Sequence, residues 1–198
     1  LGGGVVEVLA RMGVGTLHII DADNFEEGNL NRQFLSNETN LGKSKATVAA
    51  ERIKTINSSV IVHVHPVFLD KTNADRLLAE TEVIVDCLGG VAERFALEKV
   101  ARKTGRPLVS AAVAGLCGHL MTVFPEDVGL RLLYGKKEAL PGKGAEATLG
   151  CLPQITTLLA SLQCTEVTKV LLKKGALLRN RMLAIDLQDN TCEIVALL

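Results

Sequence analysis

Side chains that could bind a nucleotide are concentrated in the stretch DADNFEEGNLNRQF, residues 21–34. Asp21 and Asp23 end an apolar run, and Asn29, Arg32 and Gln33 follow within the next turns of the chain. A carboxylate at the end of a strand suits the hydroxyls of a ribose, and a guanidinium suits a polyphosphate. The stretch therefore favours a nucleotide site, with a solvated charged loop as the alternative.

Lys45 is a second candidate for contact with phosphates. It stands at the start of the next predicted helix, where a lysine is unfavourable because the helix dipole is positive at that end. A role in ligand binding would explain this placement. The alternative is that Lys43 and Lys45 are ordinary surface residues.

The chain opens on LGGG, which leads directly into a helical pattern. A glycine turn before a helix cradles an anion when a strand feeds into it. Asp21 follows about 20 residues later, the separation at which a dinucleotide fold places its ribose-binding acid. We therefore expect the sequence to begin partway through a phosphate loop that includes Gly2, with the first strand missing; a flexible end is the alternative.

The stretch DCLGG, residues 86–90, ends another apolar run and precedes another helical pattern. Strand, short turn and helix is the arrangement in which nucleotide-binding folds place their ligands, at the carboxyl ends of the strands. Asp86 and the glycines at 89 and 90 are therefore of interest.

The apolar pattern predicts which elements position these residues. Strands are predicted at 17–21, 60–65, 82–87, 107–115 and 119–124, with a C-terminal hairpin around QDN. Helices are predicted at 4–13, 43–57, 72–80, 91–105 and 155–172. This alternation predicts a single α/β domain over residues 1–198, a Rossmann-like doubly wound fold with a mostly parallel sheet and a small antiparallel C-terminal extension.

Composition excludes several classes of function. The 198 residues carry no formal net charge and only 3% aromatic side chains, which disfavours a nucleic-acid partner. Apolar runs are short of a membrane span, so no membrane is expected. The five cysteines form no CxxC pair, so neither a zinc site nor a disulfide framework is expected, and the default location is the cytoplasm. His63 and His65 alternate on one strand without a visible third metal ligand, and His18 and His119 suggest no role.

With these motifs in view, the chain resembles the ThiF/MoeB/HesA superfamily, which includes the ubiquitin-activating enzymes. The resemblance runs along nearly the whole chain, in the segments ARMGVGTLHIIDAD, NLNRQF, GKSKATVAAERI, VIVDC, PLVSAAVAG and SLQCTEVTKVLL. It implies ATP- and Mg²⁺-dependent adenylation of the C-terminal glycine of a ubiquitin-like sulfur-carrier protein, with release of pyrophosphate. Some relatives apply the same activation to a tRNA base.

The resemblance also implies roles for single residues. Gly2 would be the last glycine of the phosphate loop, and Asp21 would hold the ribose hydroxyls. The triphosphate would be contacted by Asn29, Arg32 and Lys45, with Gln33 nearby. Asp23 is also assigned to the nucleotide site, together with Cys87 at the end of the third predicted strand and Leu88 and Gly89 after it. Arg32, Lys45 and Asp86 are the catalytic candidates.

One position departs from the family pattern. Gly89 stands where the family has its magnesium-binding aspartate, and a glycine has no side chain to bind a metal. Three alternatives follow. Another acid, Asp23 or Asp86, substitutes as the magnesium ligand; the protein binds nucleotide without adenylating, as a pseudoenzyme or scaffold; or it does different chemistry on the same scaffold.

Two further expectations concern partners. The family dimerises, and Leu158, Leu159, Leu162 and Val170 offer an apolar face for a homodimer; packing within the chain is the alternative. A Gly-rich loop is predicted from about 125 to 150. By resemblance it lies near the path of the carrier's C-terminal tail, and Glu146 is its acid of interest.

Overall fold

A computed structural model describes residues 1–135 and 144–198, which form two compact units, Leu1–Leu78 and Ala79–Leu198. The helices are α1 (Gly2–Arg11), α2 (Lys45–Ile56), α3 (Ala74–Leu77), α4 (Val91–Thr104), α5 (Arg131–Tyr134), α6 (Glu146–Leu149) and α7 (Pro153–Leu172), with 3₁₀ turns at Glu27–Asn29 and Glu38–Asn40. The strands are β1 (Thr16–Ile20), β2 (Ile61–His65), β3 (Ile84–Asp86), β4 (Leu108–Ala114), β5 (Cys117–Val123), β6 (Arg181–Asp186) and β7 (Thr191–Ala196).

The first unit is a β–α–β arrangement preceded by a helix. Strands β1 and β2 pair in parallel, and the crossover between them runs through α2. Apolar side chains of both strands pack on buried residues of α1 and α2, among them Ala10 and Ile53. A buried carboxylate joins the two helices, because Glu7 on α1 accepts hydrogen bonds from Arg52 on α2 (2.7 Å to Nε) and from Arg11.

The second unit contains a five-stranded sheet in the order β3-β4-β5-β6-β7. Strands β3 and β4 are parallel, and every later pair is antiparallel. Helix α4 packs on β3 and β4, and helix α7 packs on β4 and β5. Gly118 on β5 allows close approach of α7, since a Cβ there would overlap Leu159 and lie 2.9 Å from the Ala112 carbonyl oxygen.

The predicted fold class is confirmed, and the antiparallel part is larger than the predicted C-terminal hairpin. Strand β5 pairs antiparallel with β4, because only Gly115 and Leu116 connect them. A parallel pair needs a crossover of a dozen or more residues, whereas two residues close a hairpin. Gly115 has a φ of +59°, in the left-handed region that this turn requires.

Other expectations meet the structure in part. The described chain forms two compact units. The single domain over 1–198 stays a prediction. The predicted loop at 125–150 contains the short helices α5 and α6, and its residues 136–143 lie outside the described part of the chain. Of the apolar face on α7, Leu159 is fully buried while Leu158 is 37% exposed. Packing within the chain therefore accounts for Leu159, and the homodimer remains a prediction.

Helix α7 is long and apolar enough to cross a membrane by length and composition alone. Its polar residues Gln163 and Glu166 are buried and hydrogen-bonded within the second unit. Glu166 accepts from Thr122 Oγ1 at 2.6 Å and from Lys169 Nζ at 2.7 Å. These contacts are typical of a core helix of a globular unit.

Candidate functional site

Asp21 directly follows β1, at its carboxyl end, where the sequence placed a ribose-binding acid. Its backbone N–H donates to the carbonyl of His65 at 3.2 Å, which keeps it in line with the end of β2. Its side chain accepts the N–H of Asp23 at 2.9 Å. Burial raises the pKa of the Asp21 carboxyl, against the opposing effects of that N–H and of Lys45. Asp21 is thus a fixed, half-buried hydrogen-bonding group at a strand end.

Lys45 is held beside Asp23, with 3.0 Å between Nζ and Oδ2. The backbone fixes this pairing: the N–H of Lys45 donates to the carbonyl of Asp23 at 2.9 Å, and the N–H of Phe25 donates to the carbonyl of Lys43. The Lys45 side chain is only 16% exposed, whereas that of Asp23 is 59% exposed. The unfavourable position of a lysine in the first turn of α2 is therefore offset by a carboxylate close to its ammonium.

Asn29, Arg32 and Gln33 lie on the 3₁₀ turn and the bend that follows it. The Asn29 side chain accepts the N–H of Glu26 at 3.1 Å and so shapes the turn. Arg32 donates from Nη1 to the carbonyl of Gly28 at 2.7 Å and to the Asn31 side chain at 2.9 Å. Arg32 is thus tethered through one nitrogen, which leaves the outer edge of its guanidinium to contact a ligand.

The glycines at the start of α1 lie against the end of the same stretch. Gly2 is the first residue of the helix, after Leu1 as its N-cap. A Cβ on Gly3 would lie 3.1 Å from Leu35 Cγ and 3.3 Å from the Leu35 backbone nitrogen. Close packing therefore explains Gly3, while Gly2 keeps its predicted place at the helix N-terminus.

Asp86, at the end of β3, is completely buried and its carboxylate is fully engaged. Oδ2 accepts from Arg94 Nη1 at 2.7 Å and from Ser110 Oγ at 2.6 Å, and Oδ1 accepts the N–H of Leu88 at 3.0 Å. Arg94 is 3% exposed and also donates to the carbonyls of Ala111 and Leu88. A magnesium ligand needs free oxygen lone pairs and room for water. Asp86 does not fit the metal and catalytic role suggested for it, and acts instead as the partner of a buried arginine.

The loop after Asp86 wraps around Arg94, because both the N–H and the carbonyl of Leu88 bond to this pair. Cys87 is half-buried and Leu88 is 37% exposed. Within residues 1–135 and 144–198, and apart from the two chain neighbours of Gly89, no atom lies within 4 Å of the position that a Cβ on Gly89 would take. Gly89 also has no left-handed φ. Neither sterics nor backbone conformation therefore requires a glycine at position 89.

Comparison with known proteins decides the family, since the sequence profile described as the ThiF family matches residues 1–197. The chain belongs to the ThiF family. It is 33% identical over 196 residues to the SAMP-activating enzyme E1 of Haloferax volcanii, covering 98% of this chain and 72% of that protein. It is 33% identical over 175 residues to the adenylyltransferase and sulfurtransferase MOCS3 of Xenopus laevis, covering 86% of this chain and 38% of that protein.

Solved structures of the ThiF fold superpose on the whole of this ThiF-family chain. Escherichia coli MccB, crystallised with succinimide, has a TM-score of 0.82 at 20% identity and covers 99% of this chain and 60% of its own. PaaA has a TM-score of 0.79 at 20% identity, with 99% and 60% covered. These likenesses establish the fold. The chain spans about three fifths of both structures and 38% of the Xenopus relative.

No pattern in the sequence indicates one partly buried polar pair of this ThiF-family chain. His119 on β5 contacts Tyr134 on α5, with 3.0 Å between Nε2 and the phenol oxygen. Phe95 on α4 packs edge-on against Tyr134. Burial, together with the nearby Arg94 charge, lowers the pKa of His119 to about 4. His119 is therefore neutral in the folded protein at neutral pH. Only the tertiary contact between β5 and α5 shows that it has a partner.

The other histidines of the ThiF-family chain meet on the β1–β2 sheet. His18 stacks on His63 with ring centroids 4.5 Å apart, and on His65 at 5.6 Å. A third imidazole, which the pattern of β2 alone does not show, thus comes from His18 on the paired strand β1. The rings stack face to face, and within residues 1–135 and 144–198 no group of three or more His, Cys, Asp or Glu side chains is arranged to hold a metal.

Proposed function

We propose that this protein activates the C-terminal glycine of a ubiquitin-like sulfur-carrier protein by ATP-dependent adenylation. The observation that carries the proposal is the ion pair between Lys45 and Asp23 at the carboxyl end of β1. Asp21 lies two residues before Asp23 and accepts its backbone N–H. Membership of the ThiF family supports it, as do relatives named SAMP-activating enzyme E1 and adenylyltransferase MOCS3.

In the proposed reaction, a carboxylate oxygen of the carrier attacks the α-phosphorus of ATP. The new bond is an acyl-phosphate bond, and the bond from the α-phosphorus to the bridging oxygen breaks with its electron pair leaving on pyrophosphate. Negative charge grows on the α-phosphate and on the leaving group. Lys45 and Arg32 are the cations of the first unit that suit this charge, and positioned cations stabilise such a transition state.

The ribose would be held by Asp21, whose carboxylate is already fixed by the N–H of Asp23. Binding of a triphosphate would draw the Lys45 ammonium away from Asp23, an exchange of one anion for a more highly charged one. Because this pair is partly exposed on the Asp23 side, the exchange costs little, on the order of 1 kcal/mol or less.

Magnesium, when bound, would neutralise charge on the phosphate oxygens. Of the two acids considered as replacements for an aspartate at Gly89, Asp86 has no free oxygen and Asp23 already pairs with Lys45. Asp23 would gain a free carboxylate only when Lys45 turns to the nucleotide. It therefore fits a magnesium ligand less well than an acid without a partner.

ATP–pyrophosphate exchange tests the proposal in the full-length protein. Small ubiquitin-like proteins that end in glycine would be supplied one at a time with ATP, magnesium and labelled pyrophosphate. We expect exchange with at least one carrier, and none with the same carrier lacking its terminal glycine. Binding of ATP without exchange for any carrier would overturn adenylation.

Gly89 favours a second candidate, a nucleotide-binding scaffold that grips a carrier without activating it. Position 89 has no side chain, and among the described residues other than its two chain neighbours no atom lies within 4 Å of where its Cβ would be. Such a scaffold would bind ATP and a carrier but would show no exchange. The same assay therefore separates the two candidates.

A further inference from the structure

One face of the β1–β2 sheet carries three imidazoles. Side chains alternate between the two faces of a strand. The positions whose apolar side chains pack against α1 and α2 are Leu17, Ile19 and Val62. His18, His63 and His65 therefore lie together on the opposite face, with His18 directly across from His63. His63 is exposed and the other two are half-buried, so solvent reaches this imidazole cluster (His18, His63 and His65).

His18 and His65 are joined through their ring nitrogens. Their ring centroids are 5.6 Å apart, whereas Nδ1 of His18 and Nε2 of His65 are 3.4 Å apart. Because the nitrogens are closer than the centroids, the two nitrogens face each other. A hydrogen bond between two imidazoles needs one N–H and one lone pair, and a doubly protonated pair has an N–H on both nitrogens. The contact therefore holds only while at most one of these two rings is charged.

His63 adds to the resistance of the cluster to positive charge. Its ring stacks on that of His18, with centroids 4.5 Å apart. Two charged rings at this separation repel each other, and partial burial limits the screening by water. Burial lowers the pKa of His65, and the charges of His63 and Arg76 lower it further. We therefore expect a second proton to enter the cluster at a lower pH than the first.

The charged groups of neighbouring elements do not offset this repulsion. Arg76, on α3, is a cation and disfavours a proton on His65. Helices α1 and α2 cover the other face of the sheet, where Glu7 pairs with two arginines. At the carboxyl end of β1, the Asp21 carboxylate accepts the N–H of Asp23. None of these groups supplies a negative charge that is paired with the cluster.

One backbone hydrogen bond links the cluster to the candidate nucleotide site within the first unit. The N–H of Asp21 donates to the carbonyl of His65 at 3.2 Å. His65 is also the partner of Ile20 at the last position of the β1–β2 register. A movement of His65 away from His18 would therefore loosen the strand end that positions Asp21.

We propose that the imidazole cluster is an acid-sensitive device that weakens nucleotide binding when it takes up a second proton. Repulsion then separates His65 from His18 and loosens the end of β1 at Asp21. The inference rests on the proposed function, because the ligand of Asp21 is taken to be the ribose of ATP. The coupling is reciprocal: bound ATP holds the strand end in place and so opposes protonation of the cluster.

A histidine titration followed by NMR tests the cluster without nucleotide. In the full-length protein between pH 8 and 5, imidazole resonances report protonation of each ring, and the Asp21 amide reports the strand end. We expect the second proton to bind about one pH unit or more below the first, and the Asp21 amide to shift with it. Three independent titration curves, or an Asp21 amide that does not follow them, would overturn the device.

His18→Gln separates this shift from titration of Asp21 itself. Glutamine keeps a hydrogen-bonding side chain beside His65 but carries no charge. The shift of the Asp21 amide that follows the cluster should disappear in this variant. If the whole shift persists, it arises from the Asp21 carboxyl, and the device is overturned.

Calorimetric titration with ATP at pH 7.5 and pH 5.5 tests the coupling to the nucleotide. We expect wild type to lose about threefold to tenfold more affinity on acidification than His18→Gln does. Protonation of ATP itself is common to both proteins and cancels in this comparison. His63→Gln, at an exposed position, should show an intermediate loss, and it provides the test if His18→Gln folds poorly.

His119→Gln, in the second unit, is the matched control. The pKa of His119 is lowered to about 4, so this ring stays neutral at both pH values in the folded protein. The variant should therefore lose as much ATP affinity as wild type on acidification. An equally reduced loss in His119→Gln and His18→Gln would overturn the assignment to the cluster.

The outcomes separate this inference from the proposed function. If ATP binds, and wild type, His18→Gln and His63→Gln lose the same affinity at pH 5.5, the device is overturned and the proposed function stands. If ATP binds at neither pH, the proposed function falls, and the device falls with it.

Discussion

The Asp86 carboxylate and the Arg94 guanidinium form an ion pair, 2.7 Å apart, in which both side chains are almost completely buried. Asp86 also accepts hydrogen bonds from the Ser110 hydroxyl and the Leu88 N–H. Arg94 also donates to the carbonyl of Ala111. A buried pair of this kind must be complete, because removal of one partner leaves the other as an uncompensated charge. The acid at the end of β3 therefore serves the structure of the second unit.

Replacement of one partner of this pair should be strongly destabilising. We expect Asp86→Ala to lower the free energy of unfolding by about 3–5 kcal/mol, since Arg94 would stay buried without a counter-charge. Chemical denaturation followed by circular dichroism measures this. Asp189→Ala, an exposed acid in the β6–β7 turn, should change it by less than about 0.5 kcal/mol.

The double variant Asp86→Leu/Arg94→Met gives a sharper test of the same pair. It should lose much less unfolding free energy than the sum of the losses in the two single variants, because no unpaired charge remains. Strictly additive costs would show that the two side chains do not stabilise the fold through each other.

Gly89→Asp should fold as well as wild type. A Cβ at position 89 meets no atom of the described residues within 4 Å beyond its chain neighbours, and the φ of Gly89 is not left-handed. The free energy of unfolding should therefore change by less than about 0.5 kcal/mol. Gly118→Ala is the contrasting variant, because its Cβ would overlap Leu159. We expect it to cost about 1–3 kcal/mol through overpacking between β5 and α7. Equal melting temperatures of the two variants would contradict this difference.

Lys45→Ala should weaken ATP binding with little effect on stability. Its ion pair with Asp23 is open to solvent on the Asp23 side, so its loss should cost no more than about 1 kcal/mol of unfolding free energy. Lys43→Ala, two residues earlier and exposed, is the control. Calorimetric titration with ATP should show a clear loss for Lys45→Ala and none for Lys43→Ala; an equal loss in both would indicate a general effect of positive charge.

His119 should make the stability of the protein depend on pH. Its pKa falls from 6.5 to about 4 on folding, so between these values the unfolded chain binds a proton that the folded protein does not. Stability then rises with pH across this window, by at most about 3 kcal/mol, and is complete above pH 6.5. Unfolding free energies of wild type and His119→Gln, measured from pH 4 to 7, test this, and the rise should be smaller in the variant. The same slope in both proteins would show that His119 does not contribute.

Local sequence predicted much of the candidate site in the first unit. Asp21 and Asp23 directly follow β1 and Lys45 begins α2. A backbone hydrogen bond from Lys45 to Asp23 brings the two ends of the long connection between these elements together. Apolar patterns also identified β1, β2 and α2, because a strand and a helix each leave their own period in the sequence.

The roles at the end of β3 could not be obtained in this way. Arg94 reaches Asp86 from eight residues away, and Ser110 reaches it from 24 residues away on the next strand. Whether a buried acid has free oxygens depends on such distant donors, which leave no periodic signal. The same holds for His119 and Tyr134, which come from a strand and a later helix.

By itself, therefore, the sequence determined the α/β class and the family, and it named Asp21 and Lys45 as candidates for a nucleotide site, since these follow from composition, period and motif. Tertiary structure alone decided which carboxylate is consumed by the core and which remains available to a ligand. Asp86 is enclosed by Arg94 and Ser110, whereas Asp23 pairs with Lys45 and stays largely exposed. The reason is physical: a carboxylate binds a metal only through oxygens that the fold has not already paired and buried.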